Sequence, residues 1–249
     1  VGYAFSEPRI VMLNNDKWGV IFGNGFNSDS GVAKLFILYL EEGVDGTWSY
    51  NVSGVSDDYV KLSTGSGDAT NKNGLTQVTV IDTNNDFIAD RVYAGDLNGQ
   101  VWAFDISDSN PNNWGVAYGS SSSPKPLVKL ATTKPVTVKS AVTRARYTTP
   151  DNKPNVLVIF GTGQYLTSAD PTNTDQQGMY AVWDAGEEEI SESDLVQQTI
   201  TLTENPPSSG NYVRTLSSNS VNYLDPPDAS GGKLGWYINL PTSGERVII

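Results

Sequence analysis

The chain has 249 residues, enough for one large all-β domain or two smaller ones with a sizeable core. It contains no Cys and no His, which removes disulfides, thiolate nucleophiles, sulfur-ligated metals, the imidazole ligand and the commonest general base. Its 16 Lys plus Arg against 28 Asp plus Glu give a net charge of −12, so its surface repels phosphate backbones and anionic lipid heads, and nucleic acid is not an expected partner.

The chain begins at Val1 with no charged region leading into an apolar one, and it reads as an excerpt of a longer precursor. No apolar run approaches the roughly 20 residues needed to span a bilayer, so direct membrane insertion by this segment is not expected.

Along the chain, Gly (24 residues) and Pro (13 residues) punctuate short apolar or alternating runs, and no segment keeps a helical apolar period over several turns. The expectation is an all-β chain. Strands are predicted at 18–23, 34–40, 46–52, 76–82, 91–96, 100–105, 136–147, 155–162, 179–183, 198–203, 213–216 and 235–240. The acidic stretch 187–195, with Ser191 and Ser193, reads equally as a short helix or a solvated loop. On the strand 100–105, period-2 alternation places Trp102 and Phe104 on one face and Val101 and Ala103 on the other.

A weak internal repeat runs through KWGVIFGNGF (17–26), RVYAGDLNGQVWAFD (91–105) and NVLVIFGTGQY (155–165): an apolar strand, a glycine turn, then an aromatic residue or strand. KLFILYL (34–40) and GMYAVWD (178–184) supply partner strands for the first and third copies. Such recurrence predicts a modified β-propeller, partial, with several antiparallel blades and long loop inserts at 105–130 and 184–234. A β-sandwich needs glycine in its hairpins just as much and stays the alternative. No linker splits the chain; SSSSPKP (120–126) reads as a long loop, and residues 1–249 are expected to form part of a single propeller domain. The Gly-x-Gly pairs at 23–25 and 161–163 have no following helix and no P-loop Lys, so they are read as turn glycines.

The strongest chemical signal is DTNNDFIAD (82–90), with Asp82, Asn84, Asp86 and Asp90 at positions 1, 3, 5 and 9. Alternate side chains of a tight loop converge, and Ca²⁺ takes six to eight oxygen ligands at about 2.3–2.6 Å. Side-chain oxygens of Asp82, Asn84 and Asp86, the Ile88 carbonyl and the Asp90 carboxylate are therefore the candidate ligands. Mg²⁺ prefers a tighter octahedron, and transition metals find no nitrogen or sulfur here. The competing reading is a metal-free Asx-rich turn that satisfies its own backbone. Phe87 stands where an EF-hand loop has Gly, and Tyr93 where it has Glu.

The stretch DTNNDFIADRVYAGDLNGQVWAFD (82–105) resembles the calcium-loop blade in the C-terminal domain of the PilY/PilC family of type IV pilus-associated proteins. KWGVIFGNGFN (17–27) and VIFGTGQYL (158–166) resemble two further signatures of that domain. The resemblance covers about the first two thirds of the chain. It implies a modified β-propeller exported to the bacterial cell surface, the pilus tip or the outer membrane. It also implies pilin or minor-pilin partners, a host-surface receptor and a role in pilus assembly, twitching motility and cell adhesion, with calcium occupancy governing extension against retraction. It carries over the same ligands: Asp82, Asn84, Asp86, the Ile88 carbonyl and Asp90. No Arg-Gly-Asp tripeptide occurs, so integrin binding by that route is not implied. The expected class is a non-enzymatic calcium module. A quinoprotein-like propeller enzyme, which needs a central catalytic carboxylate with basic cofactor ligands, and a structural propeller with a purely stabilising calcium are the alternatives.

Overall fold

The computed structural model describes residues 1–49, 58–145, 154–223 and 231–248. Among the described residues its regular elements are strands, apart from four single-turn 3₁₀ helices. The first sheet is β1 (Arg9–Met12), β2 (Trp18–Gly23), β3 (Lys34–Tyr39) and β4 (Tyr59–Ser63), each antiparallel to the next. The second is built from β5 (Leu75–Ile81), β6 (Arg91–Asp96) and β7 (Gln100–Asp105), with the two-residue β8 (Gly115–Val116) pairing with β7. A small hairpin of β9 (Tyr118–Ser120) and β10 (Ser123–Lys125) follows, and β11 (Val128–Lys129) then closes the second sheet against β7.

The third sheet starts with β12 (Ala141–Arg144), β13 (Val156–Gly161) and β14 (Gly178–Asp184). The chain adds β15 (Val196–Gln198), leaves in the exposed hairpin of β16 (Ile200–Glu204) and β17 (Tyr212–Leu216), and returns as β18 (Gly235–Asn239). That last strand pairs antiparallel with β14 and parallel with β15.

The sequence and structure agree most closely where a strand is apolar and bounded by glycine. The predicted spans 18–23, 91–96 and 100–105 coincide with β2, β6 and β7. Four expectations change. SSSSPKP (120–126), read from the sequence as a long loop, is the turn and second strand of the β9–β10 hairpin, because the two short strands pair across a tight two-residue turn. No strand forms at 42–49, where a 3₁₀ turn spans Glu42–Asp45, and the rest of the predicted 46–52 strand lies outside the described residues. The strand expected at 136–147 shrinks to β12, with its end at 146–147 outside the described residues. The 187–195 stretch holds only a 3₁₀ turn at Glu192–Asp194, closed by Ser191 and Asp194.

Two cores explain the layering. Leu13, Ile21, Leu35 and Ile37 of the first sheet pack with Val92, Ala94, Trp102 and Phe104 of the second. Tyr93, Val101 and Ala103, on the opposite face of the same strands, pack with Val158, Phe160, Tyr180 and Val182 of the third. The alternation predicted for β7 therefore holds, and both of its faces are buried because it lies between two cores. A two-layer sandwich leaves its sheets covered on one face; a middle sheet covered on both is the stacking of successive blades.

The sequence repeat marks where the sheets are stitched together. A Cβ on Gly23 would lie 2.3 Å from the Thr76 carbonyl oxygen, one on Gly95 2.4 Å from Val136 Cγ1, and one on Gly161 2.5 Å from Val247 Cβ. Each of these glycines lies at the last or next-to-last position of its sheet's second strand and lets the start of the following segment approach closely. Only the later glycines, Gly25 at φ 68° and Gly163 at φ 135°, serve the turn itself. The intervening residue is polar and buried in every copy. Asn24 Oδ1 accepts from Lys34 N and Leu75 N, both at 2.9 Å, and Thr162 Oγ1 accepts from Gly178 N at 2.8 Å. Backbone stitches recur as well: Val136 N donates to Asp96 O at 2.8 Å, and Val247 N to Thr162 O at 3.0 Å. Residues 245–248 thus lie against the third sheet as Val136 lies against the second.

Candidate functional site

The acidic loop joins β5 to β6. Asp90 N donates to Ile81 O at 3.0 Å, so the loop leaves and re-enters a continuous ladder. At its tip Asp82 accepts three backbone amides: Asn84 at 3.1 Å and Asn85 at 2.6 Å on Oδ1, and Phe87 at 2.8 Å on Oδ2. Asn84 Oδ1 accepts from Asp86 N at 2.9 Å, its amide donates to Asp86 Oδ2 at 3.0 Å, and Asp86 Oδ1 accepts from Ile88 N at 2.8 Å. Asp82, Asn84 and Asp86 thus form one hydrogen-bonded run of oxygens. Desolvation raises the Asp82 carboxyl, but the amides of Phe87, Asn85, Asn84 and Asp86 outweigh it and hold it below its ordinary value.

Asp90 stands apart at the base of the loop, only 4% exposed. Its Oδ2 accepts from Thr83 N at 2.8 Å and Thr83 Oγ1 at 2.6 Å. Asn14, in the turn between β1 and β2, donates its amide to the carbonyls of Ala89 (2.9 Å) and Ile106 (3.0 Å) and, more weakly, to Asp90 Oδ1 at 3.4 Å. Ala89 N also donates to Met12 O at 2.9 Å. The end of the loop is therefore pinned to the first sheet. The contacts that give Asn14 this role come from residues 75 or more positions away, so they leave no local signature in the sequence.

Two non-glycine residues of the loop take the left-handed conformation, Asn85 at φ 67° and Phe87 at φ 70°. The Phe87 side chain points into solvent at 92% exposure. Among the described residues, no three acidic side chains gather in an arrangement that would hold a metal as they stand. The donor chemistry nevertheless suits a hard cation. A carboxylate offers about four lone-pair sites, and the contacts named above leave Asp82 and Asp86 each with capacity on at least one oxygen.

Directly behind the loop, Arg91 crosses to the third sheet. Its Nε donates to Tyr93 Oη at 3.0 Å, its Nη2 to Tyr118 Oη at 2.8 Å, and it pairs with Asp184 at 3.2 Å. Tyr93 and Tyr118 both donate to Asp184, the former at 2.5 Å. Burial would lower the Arg91 guanidinium, but the Asp184 carboxylate dominates the outcome and raises it. Burial and Asp184 together push both tyrosines up. Every charge in this cluster is paired, which makes it a structural lock between sheets and gives it no free group for catalysis.

Stacked antiparallel sheets, joined by close-approach glycines and covered on successive faces, define a β-propeller-type domain. The PilY1 beta-propeller domain family matches residues 1–205, and the chain belongs to it. A type IV pilus biogenesis factor PilY1 homolog of Xylella fastidiosa is 32% identical across 98% of this chain, which covers 16% of that protein. The type IV pilus biogenesis factor PilY1 of Pseudomonas aeruginosa is 32% identical across 98% of this chain and 22% of its own length. The crystal structure of the Pseudomonas aeruginosa PilY1 C-terminal domain aligns with a TM-score of 0.73 at 28% identity, over 99% of this chain and 52% of that one. The chain thus spans about a fifth of these relatives and about half of the solved domain.

Proposed function

We propose that this chain is a calcium-binding, non-enzymatic module of a type IV pilus biogenesis and adhesion protein, and that it forms one part of a single larger propeller domain. In this reading calcium in the 82–90 loop biases the pilus between extension and retraction, with pilin or minor pilins as partners at the cell surface, the pilus tip or the outer membrane. The observation that carries it is the run of oxygens on Asp82, Asn84 and Asp86 above the Asp90 carboxylate. The naming of the relatives as pilus biogenesis factors supports the non-enzymatic role.

Asp82, Asn84, Asp86, the Ile88 carbonyl and Asp90 would hold the ion, and the ion would supply charge neutralisation at the loop. Asp90 is the hinge of the proposal, because turning its carboxylate from Thr83 toward the loop tip exchanges a hydrogen-bonded closure for an ionic one. A ligand bound only by the ordered loop stabilises it by about 2.7 kcal/mol at a hundredfold excess over Kd, enough to switch a partner surface. The far-ultraviolet spectrum should stay nearly unchanged when calcium is removed, while hydrogen exchange rises around residues 82–96.

Titration calorimetry on wild type and Asp90→Ala tests the ion site, with a strong loss of calcium binding expected in the variant. Twitching and piliation of cells carrying Asp90→Ala test the regulation. A folded variant that binds no calcium yet supports normal piliation, twitching and attachment would leave only a stabilising metal. Wild type that takes up no calcium at millimolar concentration would leave the loop as an Asx-rich turn closed on its own backbone.

A further inference from the structure

One residue holds the Asp90 carboxylate away from the loop tip. Thr83 donates to its Oδ2 twice, from its backbone N at 2.8 Å and from its Oγ1 at 2.6 Å, while Oδ1 receives the weaker 3.4 Å contact from Asn14. Among the described residues no three acidic side chains gather as they stand, so this carboxylate has to turn before it can join Asp82 and Asp86 on one ion. We infer that Thr83 is a latch on Asp90, a positioning residue whose hydroxyl competes with the cation and sets how tightly the loop binds it. The inference rests on the ion site proposed for the 82–90 loop.

The backbone around Asp90 leaves side-chain rotation as the available movement. Asp90 N donates to Ile81 O at 3.0 Å, Ile106 N donates to Asp90 O at 2.9 Å, and Ala89 is tied to the first sheet through Met12 O and Asn14. Thr83 is fixed from its other side, because Arg144 of β12 donates its Nη2 to the Thr83 carbonyl at 3.3 Å. Both backbones therefore stay in place, and the side-chain torsions of Asp90 decide which partner its oxygens meet.

Burial makes this competition count. Asp90 is 4% exposed, so water does not replace a lost donor there as it would at the exposed tip. Hydrogen bonds to an ionised acceptor are stronger than neutral ones, and an ion that takes the carboxylate has to displace both of those from Thr83. The apparent Kd rises in inverse proportion to the fraction of molecules in which the carboxylate is free. Valine at position 83 keeps the β-branched shape and removes the hydroxyl, whereas serine keeps the hydroxyl.

Calcium titration calorimetry on the full-length protein that carries this chain tests the latch, with wild type, Thr83→Val and Thr83→Ser compared. The expected result is about tenfold tighter calcium binding in Thr83→Val, as loss of one bond to a charged group allows, and near-wild-type binding in Thr83→Ser. Thr83→Ala also lacks the hydroxyl, so it should tighten binding in the same direction, and it guards against a folding defect peculiar to valine. Hydrogen exchange supplies a readout that a merely structural hydroxyl would not give. Exchange at residues 83–90 should be faster in Thr83→Val than in wild type without calcium and equal to wild type at saturating calcium. Calcium binding by wild type that is unchanged or weaker in both Thr83→Val and Thr83→Ala would overturn the latch and leave the ion site standing. No calcium uptake by wild type or by any of the variants would overturn the ion site and the latch together.

Discussion

The two ends of the second sheet are held by different means. At the 82–90 end, side chains of exposed residues cap the backbone of their own loop, so most of the hydrogen bonds span five residues or fewer. At the opposite end, Asp96 is fully buried and accepts from Asn73 Nδ2 at 2.8 Å, Trp102 Nε1 at 2.9 Å and the amides of Asn98 and Gln100, both at 2.9 Å. Asn73 also accepts Leu97 N at 2.9 Å through its Oδ1. At the first end the tip, residues 84–88, is bonded within its own loop and can rearrange while residues 89–90 stay pinned to the first sheet; the other end is a joint on which the stacking of sheets depends. A segment that must change conformation belongs at the first kind of end, and a fixed contact between sheets at the second.

Gly95→Val should give the largest effect in the molecule. The added side chain meets Val136 Cγ1 at 2.4 Å and the Val136 carbonyl oxygen at 2.5 Å, and backbone cannot yield as a side-chain tip can. Overpacking commonly costs about 1–3 kcal/mol, and a clash between sheets belongs at or above the top of that range. Chemical denaturation should show a loss of about 3 kcal/mol or a failure to fold; a midpoint within error of wild type would mean that the sheets are not closely apposed at this point.

Next in size comes a matched pair that probes the same contrast. Asp96→Ala strands the Trp102 indole, the Asn73 amide and two backbone amides in the interior, at about 1–3 kcal/mol for a buried unsatisfied group. Asp82→Ala deprives three backbone amides of their side-chain acceptor, but water replaces it in the exposed loop, and the expected loss is about 1 kcal/mol or less. Equal losses for the two variants, measured without calcium, would erase the distinction between joint and loop. Asp96 also has a pH signature. Desolvation raises its carboxyl above 3.8 despite its four donors, so the native state holds the proton more tightly than the unfolded chain. Stability from this group is present at low pH and declines as pH rises from about 3.8 through the raised value.

Asp170 should behave in the opposite sense, and the effect should be confined to its own link. Desolvation raises its carboxyl, but hydrogen bonds from Gln164 Nε2 and the amides of Thr167 and Leu166 outweigh it and hold it below 3.8. Its contribution is therefore complete above about pH 3.8 and is lost as pH falls through the depressed value. Hydrogen exchange at residues 164–173 should accelerate in that acid window before global unfolding. Protection that vanishes in step with the whole domain would show that this link has no separate opening.

What the sequence disclosed follows the range of the forces involved. β2, β6 and β7 were legible because each is an apolar run cut off by a glycine turn, and the 82–90 loop because its spacing is local. β1 and β4 were missed: RIVM is short, and YVKLS alternates with polar residues on an edge strand with little apolar signal. The parallel pairing of β15 with β18 joins residues about forty positions apart and has no local signature. Gly23, Gly95 and Gly161 were visible as a repeat, but their purpose was not, since close approach to Thr76, Val136 and Val247 is a property of the stacked sheets. The pinning of Asp90 by Asn14 was out of reach for the same reason.

The smallest effect concerns Phe87, where loop geometry and residue type conflict. Its φ of 70° lies in the left-handed region, which costs a bulky L-residue about 1–2 kcal/mol. At 92% exposure the ring gains little packing in return. Asn85, two residues earlier at φ 67°, pays less because its short polar side chain suits that region. Phe87→Gly removes the strain but gives the unfolded chain more freedom, a penalty of roughly 0.5–1 kcal/mol, so the expected net gain is about 0.5 kcal/mol without calcium. Phe87→Ala keeps the strain and serves as the control, with no gain expected. If Phe87→Gly also tightens calcium binding, the sharp bend at loop position 6 was opposing the rearrangement around the ion. If instead both variants leave stability unchanged and impair pilus function alike, the exposed ring is the feature that matters, and a partner surface must account for its position at the loop tip.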